Sequence, residues 1–504
     1  MGKGILQQVL DKIEIVGNKL PQPVTIFVIL SGVVLVLSFI FSSLGVSVEH
    51  PSPDITEPVK AINLLNSEGI QKIMTSMVDV FINFPPLGLV LTVMLGIGIA
   101  ERSGLISISL QYFVSKSKKS LITFSIVVFG MISSVAGDVG YVVLIPLSAF
   151  IFRTIGRHPL AGLAAAFAGV SGGFGANIVP TGNDPLMAAF TESAANILDP
   201  GYTVNPLSNY FFLAVSVPVV GLVGTWVTEK IIVPRLGTYQ SDEQEGYSPK
   251  KFTSYEKKGL KWALVVTLLI LAVVAIGTIF KGGPFRGEDG SLQPFYDSIV
   301  PLMFIIFFVG GLVFGIVSKT VKSDKDVANI LNESMGTMGS LIVLAFFAAH
   351  LVQFFIWSNL GTILAISGAD ALQRIGFVGM PLLVAALLFS AFINLIIGSA
   401  SAKYAILAPI FVPLMMLMGY SPETTQLAYR IGDSFTNIIT PLLPYFPLII
   451  VFAQKYVKNI GIGTLISMML PYAFVFMVVR IIKFVIWIWL EIPLGIEGPI
   501  FYSL

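Results

Sequence analysis

The amino-acid sequence predicts an all-α polytopic membrane protein, an inverted repeat with about nine transmembrane helices and two re-entrant hairpins. The 504 residues are 55% hydrophobic and only 12% charged, with a mean hydropathy of +0.87. A soluble domain carries about 25% charged residues, so this chain cannot cover a water-facing surface of its size. Seven apolar runs are each long enough, at roughly 20 residues, to cross a bilayer as a helix. These observations exclude a soluble enzyme.

The seven uninterrupted runs are expected to be ordinary transmembrane helices. They cover residues 24–45, 78–100, 209–227, 262–280, 296–317, 331–357 and 464–488. Four further apolar stretches are interrupted by polar residues, glycine and proline. They cover residues 120–152, 160–190, 381–418 and 425–452, with breaks at 133–140, 171–184, 394–403 and 437–441. The first and third are expected to be re-entrant hairpins, and the second and fourth are expected to cross, which gives nine crossings.

The basic residues orient these crossings. If the N-terminus is cytoplasmic, most lysines and arginines of the loops fall inside, as the positive-inside rule requires. The basic residues that fall outside are Lys60, Lys72, Lys281, Arg286 and Arg374. The sequence therefore predicts a multi-pass protein with a cytoplasmic N-terminus.

Short motifs recur in the two halves of the chain, in the same order. Tyr141 of the first hairpin corresponds to Tyr404 of the second, and Asn177 of the first broken crossing corresponds to Asn437 of the second. Four crossings and a connecting helix precede the second half, so the repeat is inverted. Inverted repeats with discontinuous helices are typical of secondary transporters. Non-helical backbone at this depth must face protein or a water-filled cavity, so the four breaks predict one central site.

The repeat divides the chain into three parts. The first inverted-repeat half covers residues 1–235, with its hairpin at 120–152 and its broken helix at 160–198. Residues 236–290 form a cytoplasmic loop and a connecting helix. The second half covers residues 291–504, with its hairpin at 380–418 and its broken helix at 422–454.

The first broken crossing is rich in glycine between Ser171 and Asp184. Glycine and proline unwind a helix and free carbonyl oxygens for a cation, while the N-terminus of a half-helix attracts an anion. Asn177, Thr181 and Asn183 add side-chain oxygens and amides. The alternative interpretation is that the glycines only permit close helix packing.

Two carboxylic acids, Asp184 and Asp138, lie in apolar segments of the first half. Acids at such depth usually face an interior cavity and mark ion or proton routes. The alternative is that each acid caps a half-helix. Asp184 is thus a primary candidate for the site, and Asp138, Thr181 and Asn183 are secondary candidates.

Arg430 and Asp433 lie three residues apart in the second broken crossing, so they share a helix face and can pair. One interpretation is a buried ion pair that fixes helix packing. The functional interpretation is an arginine for a substrate carboxylate and an aspartate that carries the coupling proton.

The second hairpin contains polar residues at its break. Asn394, Ser399 and Ser401 interrupt an otherwise apolar sequence, and the two serines, beside Gly398, suit a hairpin tip that lines a ligand. For Lys403 the alternative is that its long side chain extends to the outer surface.

Charge and metal-ligand content limit the partners. Thirty basic and 28 acidic residues leave a net charge of +2, which argues against nucleic acid. Without cysteine, and with three scattered histidines, a zinc site is not expected, and no cofactor is expected. The expected partners are a small molecule, the lipid bilayer and a coupling ion. That ion is either a proton or sodium, and Asn177 and Asn437 are the candidate sodium ligands.

Three stretches, residues 156–174, 224–230 and 428–441, resemble the p-aminobenzoyl-glutamate transporter (AbgT) family of the ion transporter superfamily. The resemblance extends over nearly the whole chain. It implies a homodimer of protomers with nine helices and two hairpins in a bacterial inner membrane. It also implies gradient-driven transport of p-aminobenzoyl-glutamate or export of sulfonamide-type antifolates.

The polar positions implicated in this family match five residues here. They are Asp184, Asn394, Pro422, Arg430 and Asp433. One position departs from the family pattern, because Tyr404 stands where the family often has tryptophan. An aromatic ring is retained, so stacking on an aminobenzoyl ring is still expected.

Other functions are less consistent with the sequence. The alternative within transport is a sodium-coupled carboxylate carrier of the same superfamily. A channel would need a continuous polar stripe, whereas polarity here is concentrated at the breaks. An intramembrane hydrolase would need a catalytic pair, for which Asp184 and Asp433 are the candidates.

Overall fold

The computed structural model describes residues 23–49, 57–136, 139–239 and 252–503. Asp138, one of the candidate acids, lies outside these ranges. The described chain is almost entirely helical, and eight helical segments are long and apolar enough to cross a membrane. The class predicted from the sequence, an all-α polytopic membrane protein, is confirmed. The number of crossings, the inversion of the repeat, the division into halves and the re-entrant path of the hairpins stay predictions.

A first set of helices precedes residue 240. These are α1 (Pro23–Ser43), α2 (Ser67–Ile82), α3 (Pro85–Arg102), α4 (Leu105–Lys116), α5 (Ile122–Ile132), α6 (Ile145–Thr154), α7 (Pro159–Phe167), α8 (Asn183–Ala195), α9 (Tyr210–Val227) and α10 (Val233–Leu236). Short 3₁₀ and π-helical turns extend several of them: Lys119–Leu121, Ser133–Ala136, Gly140–Leu144, Ala168–Gly172 and Thr228–Ile232. A two-stranded antiparallel sheet, β1 (Ser47–Val48) and β2 (Val59–Lys60), follows α1, with Ser47 opposite Lys60.

The second set follows residue 251. It contains α11 (Ser254–Ile279), α12 (Gln293–Asp297), α13 (Ile299–Ser318), α14 (Asp324–Thr337), α15 (Gly339–Trp357), α16 (Leu360–Arg374), α17 (Met380–Asn394), α18 (Ala400–Leu417), α19 (Pro422–Thr436), α20 (Phe446–Gln454) and α21 (Ile462–Trp489).

Two of the runs expected to be single helices are each divided. The run at 78–100 contains the end of α2 and the start of α3, and the run at 331–357 contains α14 and α15. The first division falls before Pro85 and Pro86, which lack an N–H donor and therefore suit the first turn of a helix. The second falls between Gly336 and Gly339, and glycine is a poor helix former.

Helices end at each of the four breaks that the sequence predicts. In the first hairpin, regular α-helix stops at Ile132 and resumes at Ile145. In the first broken crossing it stops at Phe167, with a π-helical turn to Gly172, and resumes at Asn183. The corresponding gaps of the second half lie between α17 and α18, and between α19 and α20. These gaps place non-helical backbone from both halves in the interior of the protein.

Close helix packing brings the breaks together. A Cβ added to Gly169 would lie 2.4 Å from the Val127 carbonyl oxygen, and a Cβ added to Gly130 would lie 2.9 Å from Gly169. The helix α5 therefore crosses the end of the first broken helix at a point where neither backbone has space for a side chain. Packing of α17 against α19 brings the second hairpin to the second broken helix. Gly130 and Gly169, both upstream of the glycine-rich segment between Ser171 and Asp184, therefore permit close helix packing.

Candidate functional site

The two broken helices contact each other at Gly175 and Ser434. The Gly175 N–H donates to Ser434 Oγ at 3.0 Å, and that hydroxyl donates to the Arg430 carbonyl oxygen at 2.5 Å. A Cβ at position 175 would lie 2.7 Å from Ser434 Oγ. Glycine is thus required for the break of one half to reach the helix of the other. The sequence analysis did not single out this contact.

Asp184 and Arg430 form an ion pair across this junction. Arg430 Nη2 donates to Asp184 Oδ1 at 2.6 Å, and both side chains are about 95% buried, with exposures of 5% and 4%. Asp184 Oδ2 accepts from the N–H and the hydroxyl of Thr181, at 2.6 and 3.1 Å, at the start of α8. Asp184 is therefore a buried acid that holds Thr181, which precedes its half-helix, and pairs with Arg430, and its part in an ion or proton route stays a prediction.

The alternative interpretation, in which Arg430 and Asp433 form an ion pair with each other, is wrong. Although the two residues share α19, each pairs with a residue on another element. Arg430 pairs with Asp184, and Asp433 pairs with Lys403 of the second hairpin. Arg430 Nη1 is buried and has no hydrogen-bond partner within the described ranges.

Lys403 is not at the outer surface. Its side chain is completely buried, and its ammonium donates to the Asp433 carboxylate and to Asn394 Oδ1, the latter at 2.5 Å. The expectation that it extends to the outside is therefore wrong, because a carboxylate and a carboxamide oxygen in the interior bind the charge instead. Asn437 Nδ2 donates to Asp433 Oδ2 at 3.2 Å. The four side chains form a closed polar cluster.

Asn394 connects the second hairpin to the second broken helix. Its amide nitrogen donates to the Asp433 carbonyl oxygen, to Thr436 Oγ1 and to Asn437 Oδ1 at 2.7–2.9 Å. In the first half, Ser134 Oγ of the hairpin donates to Asn177 Oδ1 at 2.8 Å. Hairpin and break are thus joined through an asparagine in each half. Ser134 was missed because a single serine carries no distinctive sequence signal.

Tyr404 lies in an aromatic and polar contact rather than in an open space. Its ring stands 4.3 Å from that of Tyr429, and its hydroxyl hydrogen-bonds Thr191 Oγ1 at 2.6 Å. Thr191 also donates to Gln426 Oε1 at 2.7 Å. A ring stacked on Tyr404 would therefore need Tyr429 to move. Pro422 begins α19, about 12 Å along the helix from Arg430, and its position is that of a helix-starting residue.

A cavity of about 380 Å³ reaches the tips of both hairpins, since Ser134 and Ser401 line it together with Gly182 and Asn183 of the first break. Residues of α3 and α14 form its opposite wall. A second cavity of about 630 Å³ shares Ser401 and is lined by Ser399. Asn183, Ser399 and Ser401 thus line spaces that could hold a ligand, whereas the residues of the two ion pairs are not among the lining residues of either cavity.

Arg480 of α21 is a buried cation that the sequence analysis did not identify. Its exposure is 1%, and Nε, Nη1 and Nη2 have no hydrogen-bond partner in the part of the chain that the structure describes. Nη1 lies 3.4 Å from the place of a Cβ on Gly175. An isolated arginine in the apolar run at 464–488 was the available signal.

Metal ligands are not clustered in the described ranges, where no group of three or more histidine, aspartate or glutamate side chains could hold a metal ion. Sodium at Asn177 or Asn437 stays a prediction. Asn437 is already engaged on both its amide atoms, the oxygen with Asn394 and the nitrogen with Asp433.

Comparison with known proteins places this geometry among transporters. Residues 8–502 match the model of the AbgT putative transporter family. The chain is 36% identical to the p-aminobenzoyl-glutamate transport protein of Escherichia coli strain K12, over 96% of this chain and 95% of that protein.

Two solved structures are also similar. The Alcanivorax borkumensis YdaH transporter superposes with a TM-score of 0.90 at 39% identity, covering 94% of this chain and all of that one. Neisseria gonorrhoeae MtrF, described as illuminating a class of antimetabolite efflux pumps, superposes with a TM-score of 0.93 at 45% identity, covering 98% and 99%. The similarity extends over the candidate site and both halves of the chain.

Proposed function

The chain belongs to the AbgT transporter family. From this membership we propose that it is a secondary transporter, driven by an ion gradient, of p-aminobenzoyl-glutamate and related aromatic or antifolate compounds. It is a multi-pass membrane protein whose relatives are named transport proteins, which supports a transporter rather than an enzyme. The proposal includes a homodimer in a bacterial inner membrane, with the N-terminus in the cytoplasm.

The observation that carries the proposal is the buried ion pair between Asp184 and Arg430 at the junction of the two broken helices. Arginine binds carboxylates through two parallel N–H donors, and here Nη2 binds Asp184 while Nη1 has no partner among the described residues. A substrate carboxylate entering this junction competes with Asp184 for the same guanidinium. Two ionised carboxylates on the Arg430 guanidinium repel each other in a buried site, which is strongly unfavourable.

Protonation of Asp184 resolves this competition. A neutral Asp184 releases Arg430, and the substrate carboxylate takes its place with no change in the net charge of the junction. Proton and anionic substrate therefore bind together, and each strengthens the binding of the other by the same factor. Such positive linkage corresponds to symport, so an inward proton gradient drives the anion inward.

The test is uptake of p-aminobenzoyl-glutamate into proteoliposomes under separately imposed gradients. We expect an inward proton gradient to accelerate uptake and an inward sodium gradient to have no effect at constant pH. The sodium-coupled carboxylate carrier of the same superfamily predicts the reverse. Asp184→Asn keeps an oxygen for the Thr181 cap but cannot exchange a proton, so its uptake should not respond to either gradient. If neither gradient alters uptake by the wild-type protein, the proposal fails.

The assembly and location have separate tests. Light scattering of the purified protein in detergent should give the mass of a dimer, and a tag on the N-terminus should be accessible only from the cytoplasmic face. A monomer, or an N-terminus accessible from outside, would contradict those parts without affecting the transport proposal.

A further inference from the structure

The end of α17 and the end of α19 meet at Lys403, and together they have the properties of a cation site. α17 ends at Asn394, and α19 ends at Thr436, three residues after Asp433. The C-terminal end of a helix carries a partial negative charge, and in transporters such ends hold coupling cations. The Asp433 carboxylate and the Asn394 amide oxygen add the oxygen ligands that hard cations prefer.

The site is occupied by the ammonium of the chain's own Lys403. It donates to both oxygen ligands, it lies 5.5 Å from the centre of the Tyr429 ring, and neither Lys403 nor Asp433 is exposed by more than 1%. Lys403 stands in the first turn of α18, where the helix dipole disfavours a positive charge. The buried position of the Lys403 ammonium is therefore stabilised by Asp433 and Asn394, and not by the dipole of α18.

The first half has a related junction without this cation. Ser134 and Asn177 join the hairpin to the break as Asn394 and Asn437 do, but Gly140 stands near the position that corresponds to Lys403. A Cβ at Gly140 would lie 2.1 Å from Ser133 Oγ, so that position cannot hold a lysine. The tethered cation is thus a property of the second half.

From these contacts we infer that Lys403 is a specificity-determining residue for the coupling ion, because its ammonium fills the sodium-type site of the second half and excludes Na⁺ from it. The inference rests on the proposed function in that it concerns the coupling ion of that transporter. It assigns Asp433 the role of a permanent counter-ion to Lys403 and leaves proton exchange to Asp184. It also predicts that removal of the ammonium opens the site to sodium.

Lys403→Met tests the inference, because methionine keeps most of the volume and removes the charge. Purified protein at pH 8, without substrate, is heated in 200 mM choline chloride, potassium chloride or sodium chloride, and ²²Na⁺ binding is measured in parallel. We expect no sodium-specific change in the wild type and a saturable rise in Tm of about 2 °C or more in Lys403→Met, since a ligand that binds only the folded state stabilises it. Addition of Asp433→Asn to Lys403→Met should abolish the rise.

Lys483→Met is the matched control. Lys483 is a partly buried lysine in a helix long and apolar enough to cross a membrane, and its ammonium donates to the Phe212 carbonyl oxygen and to Ser216 Oγ, with no carboxylate among its partners in the described ranges. Its removal should not create a sodium response. A sodium response of the same size in Lys483→Met, or none in Lys403→Met, would overturn the inference.

The wild type and a charge-conserving variant keep the test decisive if Lys403→Met does not fold. Lys403→Arg retains the positive charge, so neither this variant nor the wild type should bind ²²Na⁺ at the Asp433 site. If either protein binds ²²Na⁺, and if addition of Asp433→Asn abolishes that binding, then the cation at position 403 does not exclude sodium and the inference is wrong. All of these measurements use no substrate and no gradient, so failure of the transport proposal would leave their outcome readable.

Discussion

Replacement of Arg430 by methionine should destabilise the protein far more than the loss of one ion pair at its surface. The substitution leaves Asp184, which is 4% exposed, without its salt-bridge partner. Removal of one partner of a buried pair costs about 3–5 kcal/mol, because the remaining charge is uncompensated. A loss of 1 kcal/mol lowers the Tm of a domain of about 200 residues by roughly 2 °C, and lowers it less in longer chains. We therefore expect the Tm of Arg430→Met to lie about 4 °C or more below that of the wild type.

The chain provides a matched control for this change. Arg102 and Glu333 form a pair at 2.5 Å, close to the 2.6 Å of the buried pair, but their side chains are 34% and 63% exposed. Exposed pairs contribute about 0–1 kcal/mol, so Arg102→Met should lower Tm by at most about 2 °C. The comparison separates burial of the charge from the geometry of the pair.

The double variant Arg430→Met with Asp184→Asn completes the cycle. Asparagine can still accept from the Thr181 N–H, and it leaves no buried charge, so the double variant should be more stable than Arg430→Met alone. Thermal unfolding of the wild type, Arg430→Met, Asp184→Asn, the double variant and Arg102→Met in one detergent measures these differences. The reasoning is refuted if Arg430→Met is no less stable than Arg102→Met, or if the double variant is as unstable as the single one.

Three further predictions follow from other contacts. Gly175→Ala should abolish transport, because the added Cβ would lie 2.7 Å from Ser434 Oγ. Gly88→Ala is the control and should transport normally, because a Cβ at position 88 has nothing within 4 Å. Equal uptake by both variants would contradict the proposed junction. Arg480→Met should raise Tm, because none of its three buried nitrogens has a partner in the described chain, and a lower Tm would show that the charge is compensated. His158 Nδ1 caps α7 by accepting from the Leu160 N–H, and burial lowers the pKa of this imidazole. The stability that the neutral imidazole contributes is therefore complete above about pH 6.5 and is lost as the pH falls through the lowered pKa. Tm measured from pH 7.5 to 5 should therefore fall more steeply for the wild type than for His158→Asn, which retains a cap.

Local composition was sufficient to predict the architecture of the site. Glycine, proline and asparagine within long apolar stretches predicted where α7, α17 and α19 end, because these residues weaken helices wherever they stand. The same reasoning identified Asp184, Arg430 and Asp433, since a charge in an apolar segment is rare. Their partners could not be obtained in this way.

Pairing in the site is decided by tertiary contacts between residues far apart in the chain. Spacing along α19 indicated that Arg430 and Asp433 can pair, but Arg430 meets Asp184, and Asp433 meets Lys403. Lys403 was expected either at the hairpin tip or at the outer surface, because a lysine next to apolar residues can extend to water. The second hairpin packs against the second broken helix, and only this tertiary contact shows that Lys403 is buried against Asp433.

The central claim is that Asp184 takes up a proton when a substrate carboxylate replaces it on Arg430. Titration calorimetry of p-aminobenzoyl-glutamate into the purified protein, in buffers of equal pH and different ionisation enthalpy, measures the number of protons taken up per molecule bound. The account predicts about one proton for the wild type and none for Asp184→Asn, by reciprocal linkage between the two ligands. Substrate binding without proton uptake in the wild type, or equal uptake in both proteins, would contradict it.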